Sequence, residues 1–364
     1  MDWKENMIFQ SVKSSNFNYT STNFIDMKLY FAYSKIGPLM TTSNQLGPVD
    51  CGSFGETKGL AQKKSFSESI ERRSLVDIEQ NKNKSKVSAF NLLKNSIELI
   101  PKMVTVYNDV DIIVDTTGTA AHRNSGECLL NSLTELLEKN ATYLFWYGKS
   151  GYRLDQNNIS RFKIYHVIKQ QGFEIEGFVN LDFYPVIVVY IRISNTFSNM
   201  DINNVFGVGS SVSLDKAISK ALKEGLFLMS MHMESHLRKD NSSYSEGSYE
   251  NTLIETLKNK EIFNNLNEME FLKEKFIKFE NKDLNIKEEI EYILTSLPKW
   301  IENIWVVVMP QKLNKNLIIT KVYSDNLINC VPFKENINLD LEINKYTINL
   351  DENELNKKFD CPIL

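Results

Sequence analysis

The chain has 364 residues, 42% of them apolar and 24% charged, with a formal net charge of −4. That length allows one large domain or two ordinary ones with a core of useful size, and the absence of a basic stretch excludes nucleic acid as the main partner. Cys51, Cys128, Cys330 and Cys361 are widely spaced with no CxxC pair, which argues against a disulfide scaffold or a thiolate zinc site and for reduced thiols in the cytoplasm.

The opening residues MDWKENMIFQSVKSS lack the apolar core of a signal peptide, and neither end carries a lipidation signal. The first 60 residues are rich in Ser, Thr, Asn and Gly, with one predicted strand in MKLYFAYSKIG ending at Gly37. A helix is predicted from Gly59 to about Ile78. A second is predicted from Ser85 to Ile100, stopped by Pro101. DVDIIVDTTGT reads as a strand entering a glycine turn.

From Gly126 to Tyr147 the leucines recur at helical spacing (Leu129, Leu130, Leu133, Leu136, Leu137, Leu144). The aromatics from Tyr143 to Tyr147 and Cys128 on the same segment read as core packing. A short helix from Arg161 to Gln171 precedes two adjacent strands, Phe173 to Leu181 and Val186 to Ile193. The run Phe183 to Ile193 is the most apolar in the chain. It is too short to span a bilayer and carries Arg192, so no membrane segment is expected. Asn204 to Val212 reads as a glycine-containing strand and turn, and Leu214 to Leu237 as a helix.

Residues 239–248 read as a polar loop, and residues 249–297 as two or three surface helices with solvated faces. Strands are predicted at Ile304–Met309 and Leu317–Val322, and one more in the acidic tail after Phe333. Helices and strands mix without a regular βαβ beat, and GVGSS at Gly207–Ser211 lacks the final glycine and lysine of a P-loop. The expected fold class is α+β.

Three predicted helices carry glutamates among apolar and small residues. The first holds Glu68, Glu71 and Arg72, the second Glu135, Glu138 and Lys139, the third Lys220 and Glu224. Residues three or four apart share a helix face. A buried carboxylate is costly unless paired or metal-bound, and carboxylates facing phosphates need cations between them, for which Mg²⁺ with oxygen ligands is suited. Taken one helix at a time, a Lys and a Glu four apart make a solvated ion pair. HMESH at His232–His236 has its glutamate misplaced for a zinc protease and lacks a third ligand, so it reads as a surface or cap feature. His166 reads as structural.

In their order and separation these segments resemble the YcaO family. The early stretch GSFGETKGLAQKKSFSESIERRS matches a G-x-G followed by E-x-x-E-R. The middle stretch DTTGTAAHRNSGECLLNSLTELLEKNA matches D-x-x-G followed by a glutamate-bearing helix. The late stretch GVGSSVSLDKAISKALKEGLF matches G-x-G followed by R-A-L-x-E-x-x-Q. The resemblance spans roughly residues 30–335 and is strongest to the YcaO subunits of microcin-type thiazole/oxazole synthetases. The sequence departs from the family at Lys139 and Lys220 (usually Arg), Asn140 (usually Asp), Phe227 (usually Gln) and His122–Arg123 (usually Gly-Asn), and its tail FDCPIL carries a single proline. Lysine keeps the charge of arginine but not its bidentate geometry.

The resemblance implies a YcaO-type fold, with mixed β-sheets and helices around a nucleotide site. It implies an N-terminal extension (1–29), an ATP-binding domain (30–335) with a helical, partner-contacting insertion at about 239–297, and a C-terminal tail (336–364). It implies ATP and Mg²⁺ as cofactors, with Glu68, Glu135, Glu138 and Glu224 as catalytic metal ligands. Lys35, Glu71, Arg72, His122, Lys139 and Lys220 would then lie around the nucleotide. The reaction implied is attack of a substrate Cys, Ser or Thr on the preceding backbone carbonyl, phosphorylation of the resulting oxyanion, and loss of phosphate to leave an azoline. The partners implied are a precursor peptide, an E1-like or leader-binding subunit and an FMN-dependent dehydrogenase, around a homodimer within a hetero-oligomer. Two alternatives stand beside this one: thioamide or amidine formation on a peptide, and a catalytically degenerate scaffold.

Overall fold

The computed structural model describes residues 18–24, 27–35, 50–76, 85–107, 113–195, 204–238, 256–257, 260–273, 284–311 and 314–363. In chain order the first elements are β1 (Asn18–Phe24), β2 (Met27–Lys35), β3 (Asp50–Gly55), α1 (Lys58–Ser74), β4 (Lys86–Asn91), β5 (Ser96–Pro101) and β6 (Thr119–His122). Then come α2 (Ser125–Gly148), β7 (Tyr152–Arg153), α3 (Gln156–Ser160), α4 (Lys163–Gln170), β8 (Phe173–Asn180) and β9 (Ile187–Asn195). They are followed by β10 (Asn204–Ser211), α5 (Leu214–Arg238), β11 (Trp305–Val308) and β12 (Ile318–Tyr323). The fold is mixed helix and antiparallel sheet, as the α+β expectation has it. Among the described residues no helix is long and apolar enough to cross a membrane.

The chain divides into two compact units, residues 1–136 with 302–325, and residues 137–301 with 326–364, the division falling inside α2. The first unit holds a three-stranded sheet in the order β1-β2-β3 and a five-stranded sheet in the order β5-β4-β11-β12-β6. Thr57 starts α1 by accepting the Leu60 N–H on its hydroxyl at 3.2 Å, and Arg72 and Arg73 complement the helix dipole in the last turn. Ser65 on α1 donates to the Cys51 carbonyl at 3.1 Å, which fixes the helix against β3. The unit's core gathers Ile70, Leu75, Ala89, Ile100, Trp305, Val307 and Ile319.

The second unit carries the sheet β10-β9-β8-β7. All eight residues of β10 are buried. Phe145 of α2 stacks on Tyr190 of β9 at 4.2 Å and tilts against Phe178 of β8 at 5.8 Å. Tyr143 and Tyr147 are buried as well, and their hydroxyls donate to Asn344 Oδ1 and the Pro332 carbonyl, each at 3.0 Å. The aromatic segment is core, as its leucine-rich context predicts. All four cysteines are buried.

Three expectations are corrected. Ser85 to Ile100 forms the β4–β5 hairpin rather than a helix. Asn91 Oδ1 accepts the N–H groups of Leu93 and Lys94, and Asn95 takes a left-handed φ of 53°. This asparagine turn chemistry overrides the apparent helical spacing. Among its described residues the tail forms short helices, Glu342–Tyr346 and Glu352–Asn356, where a strand was expected. A capping box of Asp351 and Glu354 starts the second. Within 249–297, Leu257, Ile262, Phe263 and Leu266 are buried rather than solvated. Phe263 lies 5.8 Å from Phe206 and under the Arg192 guanidinium at 4.8 Å. The polar loop expected at 239–248 and the start of the DVDIIVDTTGT strand at 109–112 lie outside the described residues.

Candidate functional site

In the first unit α1 presents Glu68, Glu71 and Arg72 together, all half-buried. Arg72 Nη2 donates to Glu68 Oε1 at 2.9 Å. Burial first, then the carboxylates of Glu135 and Glu68, hold the Glu71 carboxyl well above the usual range, while Arg72 and Lys321 act the other way. Glu135 thus reaches Glu71 from the leucine-rich half of α2. That helix is preceded by Asn124, whose Oδ1 accepts the Glu127 N–H at 3.0 Å.

Lys321 on β12 escaped the sequence reading. It is fully buried, and its Nζ donates to the carbonyls of Asp115, at 2.8 Å, and Thr117. A lysine inside the apolar run LIITKVY was its one signal. It braces the turn Asp115–Gly118, where Asp115 Oδ1 accepts the Thr117 N–H at 2.7 Å. Gly118 has φ +72°, and a Cβ there would stand 2.6 Å from the Val322 carbonyl oxygen, so only glycine fits. The Thr117 and Thr119 hydroxyls are buried beside this turn, without a hydrogen-bond partner among the described residues.

His122 is exposed at the end of β6 and accepts the Asn124 N–H on Nδ1 at 3.1 Å, at the start of α2. The backbone of Lys35 pairs with Asp50 across β2 and β3, and its side chain lies outside the described part.

In the second unit Glu138 and Lys139 come from α2, and Lys220 and Glu224 from α5. Glu224 Oε2 accepts the Val208 N–H of β10 at 2.6 Å. Burial, followed by the Glu138 charge, pushes the Glu224 carboxyl up to about 7, opposed by Lys139, the Val208 N–H and Lys220. Lys139 Nζ stands 3.8 Å from Glu138 Oε1, and the exposed Lys220 donates to the Ser210 carbonyl at 2.8 Å.

The closeness of α5 to β10 follows from the G-x-G of that strand. A Cβ on Gly207 would fall 2.1 Å from the Ala221 carbonyl oxygen, and one on Gly209 would fall 2.4 Å from that of Ala217. The glycines serve backbone approach, which brings Glu224 onto a main-chain N–H. Asn140, where the family has aspartate, is buried and bridges the Ile328 backbone through Nδ2 to the carbonyl at 2.8 Å and from the N–H to Oδ1 at 2.9 Å.

Glu68, Glu135, Glu138 and Glu224 are all half-buried rather than spread over open surface. Among the described residues no three His, Cys, Asp or Glu side chains are grouped closely enough to hold a metal unaided. Electrostatically the Glu71 carboxyl feels Glu135 and Glu68, and the Glu224 carboxyl feels Glu138. This donor set fits Mg²⁺ held by one or two carboxylates and completed by phosphate oxygens and water, and not an all-protein cage. Cys128 is buried, with its thiol 3.2 Å from the Ala120 carbonyl. His166 is exposed, edge-on to Tyr165. His232 and His236 lie near the end of α5, with side chains outside the described part.

No curated protein matches the chain in sequence. A family model described as YcaO cyclodehydratase, ATP- and Mg²⁺-binding, matches residues 46–309. Among solved structures, a chain of the E. coli microcin synthetase McbBCD complex superposes with a TM-score of 0.73 at 14% identity, covering 98% of this chain and 99% of that one. The same complex with pro-MccB17 bound gives 0.70 at 16% identity, covering 98% and 100%. YcaO from Methanopyrus kandleri, bound with AMPPCP and Mg²⁺, gives 0.62 at 13% identity and 86% of each chain. At these identities the structures establish the fold, and the family model establishes the lineage: the chain belongs to the YcaO family, whose domain binds ATP and Mg²⁺.

Proposed function

We propose that this chain is an ATP-dependent cyclodehydratase acting on backbone amides of a ribosomally made precursor peptide, closing Cys, Ser or Thr side chains to azoline rings. The observation that carries the reading is the crowding of half-buried carboxylates, with Glu135 and Glu68 acting on Glu71 and Glu138 acting on Glu224, each group beside cations on α1, α2, α5 or β12. Carboxylates that crowd one another in partial burial are unfavourable without a metal, and each group becomes favourable once its ligand members hold a divalent cation.

ATP supplies a phosphoryl group that turns the amide oxygen into a leaving group, and Mg²⁺ neutralises the phosphates. In this reading Glu68, Glu135, Glu138 and Glu224 hold Mg²⁺. Arg72, Lys139 and Lys220 face phosphate oxygens as donors, with Lys35, Glu71 and His122 around the nucleotide. Lys139 and Lys220 act as point charges where relatives use arginine, so they neutralise phosphate without bidentate clamping. The ATP-binding domain covers residues 30–335, with 336–364 as a tail. Buried thiols support work in the cytoplasm. An E1-like or leader-binding subunit would deliver the peptide, and an FMN-dependent dehydrogenase would oxidise the azoline. A homodimer within that assembly completes the reading.

ATP hydrolysis and product mass, measured with purified partner and precursor, test the proposal. Loss of one water per site in the wild type, abolished by Glu135→Ala and by Glu224→Ala, supports it. Identical behaviour of all three proteins would exclude catalysis by this chain and leave the scaffold reading. A mass gain of sulfur minus oxygen would assign thioamide formation instead.

A further inference from the structure

The second unit contains a cavity of about 820 Å³ that the nucleotide reading leaves unused. Its volume lies in the range of ligand pockets, roughly 300–1,000 Å³. Three short segments wall it. The α2–β7 connection and the first residue of β7 supply Lys149 and Tyr152, the β8–β9 turn supplies Asp182 and Tyr184, and the stretch after residue 267 supplies Glu268 and Glu270.

These walls are fixed by the fold. Buried Asn180 donates through Nδ2 to the Ser150 carbonyl at 2.9 Å and to Asp182 Oδ2 at 2.6 Å, joining the first two walls. The third is pinned to the edge strand β7. Arg153 N–H donates to the Glu270 carbonyl at 2.8 Å, and Leu272 N–H to the Arg153 carbonyl at 2.9 Å. The Arg153 guanidinium lies over the Phe271 ring at 4.8 Å.

Three exposed carboxylates against one lysine leave the rim net negative, and two exposed tyrosines lie among them. Among the described residues neither Glu268 nor Glu270 forms an ion pair with this chain. Carboxylates beside aromatic faces are the chemistry that takes a guanidinium or ammonium on an apolar stem.

We propose that this cavity is a binding site for a Lys- or Arg-bearing segment of the substrate peptide. The inference rests on the reading of the substrate as a peptide. It adds a contact that selects substrates by charge, apart from the carboxylates and lysines assigned to the nucleotide.

The test uses the full chain, saturated with Mg²⁺ and a non-hydrolysable ATP analogue so that the acidic pairs are occupied. Fluorescence anisotropy at low ionic strength compares a labelled, end-capped Arg-Gly repeat peptide with a Glu-Gly peptide of equal length. The Arg peptide is expected to bind and the Glu peptide not. Glu268→Gln with Glu270→Gln should weaken binding about fivefold, and Tyr184→Ala by a similar factor. The charge-matched control Glu291→Gln with Glu352→Gln should bind as the wild type does. Charge reversal by Glu268→Lys with Glu270→Lys should transfer preference to the Glu peptide, a gain that misfolding cannot produce. Equal binding of both peptides, or wild-type binding by the Gln and Lys variants, would overturn the proposal. Capture of a partner subunit in place of the Arg peptide would also overturn it. ATP hydrolysis by the same variants reports the nucleotide site separately, so loss of this contact and failure of the enzymatic reading are distinguishable.

Discussion

The Glu224 carboxylate sits on the Val208 N–H at 2.6 Å, so the third acidic helix is joined to its strand by a charged side chain on a main-chain donor. Glutamine at 224 keeps both the size and an acceptor for that N–H while removing a charge that burial and Glu138 oppose. Without Mg²⁺ and nucleotide, Glu224→Gln is therefore expected to be more stable than the wild type above pH 7, by on the order of 3 kcal/mol. It should lose ATP hydrolysis. Urea unfolding and an ATPase assay measure the two; a variant less stable than wild type at pH 8 would refute the account of Glu224 as strained.

The same group sets a pH dependence. Its folded value, about 7, lies above the ordinary 4.5, so the native state binds more protons than the unfolded chain between the two. The stability it contributes is full below about 4.5 and lost as pH rises toward 7, flattening beyond. Glu71 shifts in the same direction. Unfolding in urea across this window, with and without Mg²⁺ and an ATP analogue, should show the ligand's stabilisation growing with pH. It should also show a shallower slope for Glu224→Gln. A ligand effect independent of pH would contradict protons and Mg²⁺ competing for these carboxylates.

Gly207 and Gly209 make the Glu224 contact possible, and this gives a steric prediction. A Cβ at 209 meets the Ala217 carbonyl oxygen at 2.4 Å and the Ala221 nitrogen at 2.6 Å. The obstacles are backbone atoms, so α5 itself must shift. Gly209→Ala should cost about 1–3 kcal/mol and reduce ATP hydrolysis by displacing Glu224. Gly207→Ala, tighter still at 2.1 Å, should be worse. Wild-type melting temperature and turnover in either would show that the close approach is dispensable.

How much of this was legible in the sequence depended on what decided each element. The long helices were readable because leucine spacing and packing agree, as in α2, where Leu133, Leu136 and Leu137 are fully buried. The β4–β5 hairpin was not, because Asn91 and Asn95 decide the chain direction through local hydrogen bonds that spacing does not register. The segment around Phe263 hid its core role because most of its neighbours in sequence are charged residues or asparagines. The glutamates were identifiable from the ordered motifs, but the action of Glu135 on Glu71 and of Glu138 on Glu224 is a tertiary effect. So is Lys321, which lies 250 positions after the Glu71 it acts upon.

Lys321 yields the last prediction. A buried ammonium that donates to the carbonyls of Asp115 and Thr117 holds the turn carrying Gly118, and its charge also favours ionisation of Glu71. Methionine keeps the stem and volume but removes both donors and the charge. Lys321→Met should therefore leave two carbonyls without their donor and cost about 3 kcal/mol in urea unfolding. If Glu71 is coupled to it, the double variant with Glu71→Gln should recover part of that loss, because the neutral side chain no longer needs a cation. Strict additivity of the two substitutions would mean that Lys321 serves the turn alone, and that the charge balance on α1 is set by Arg72 without it.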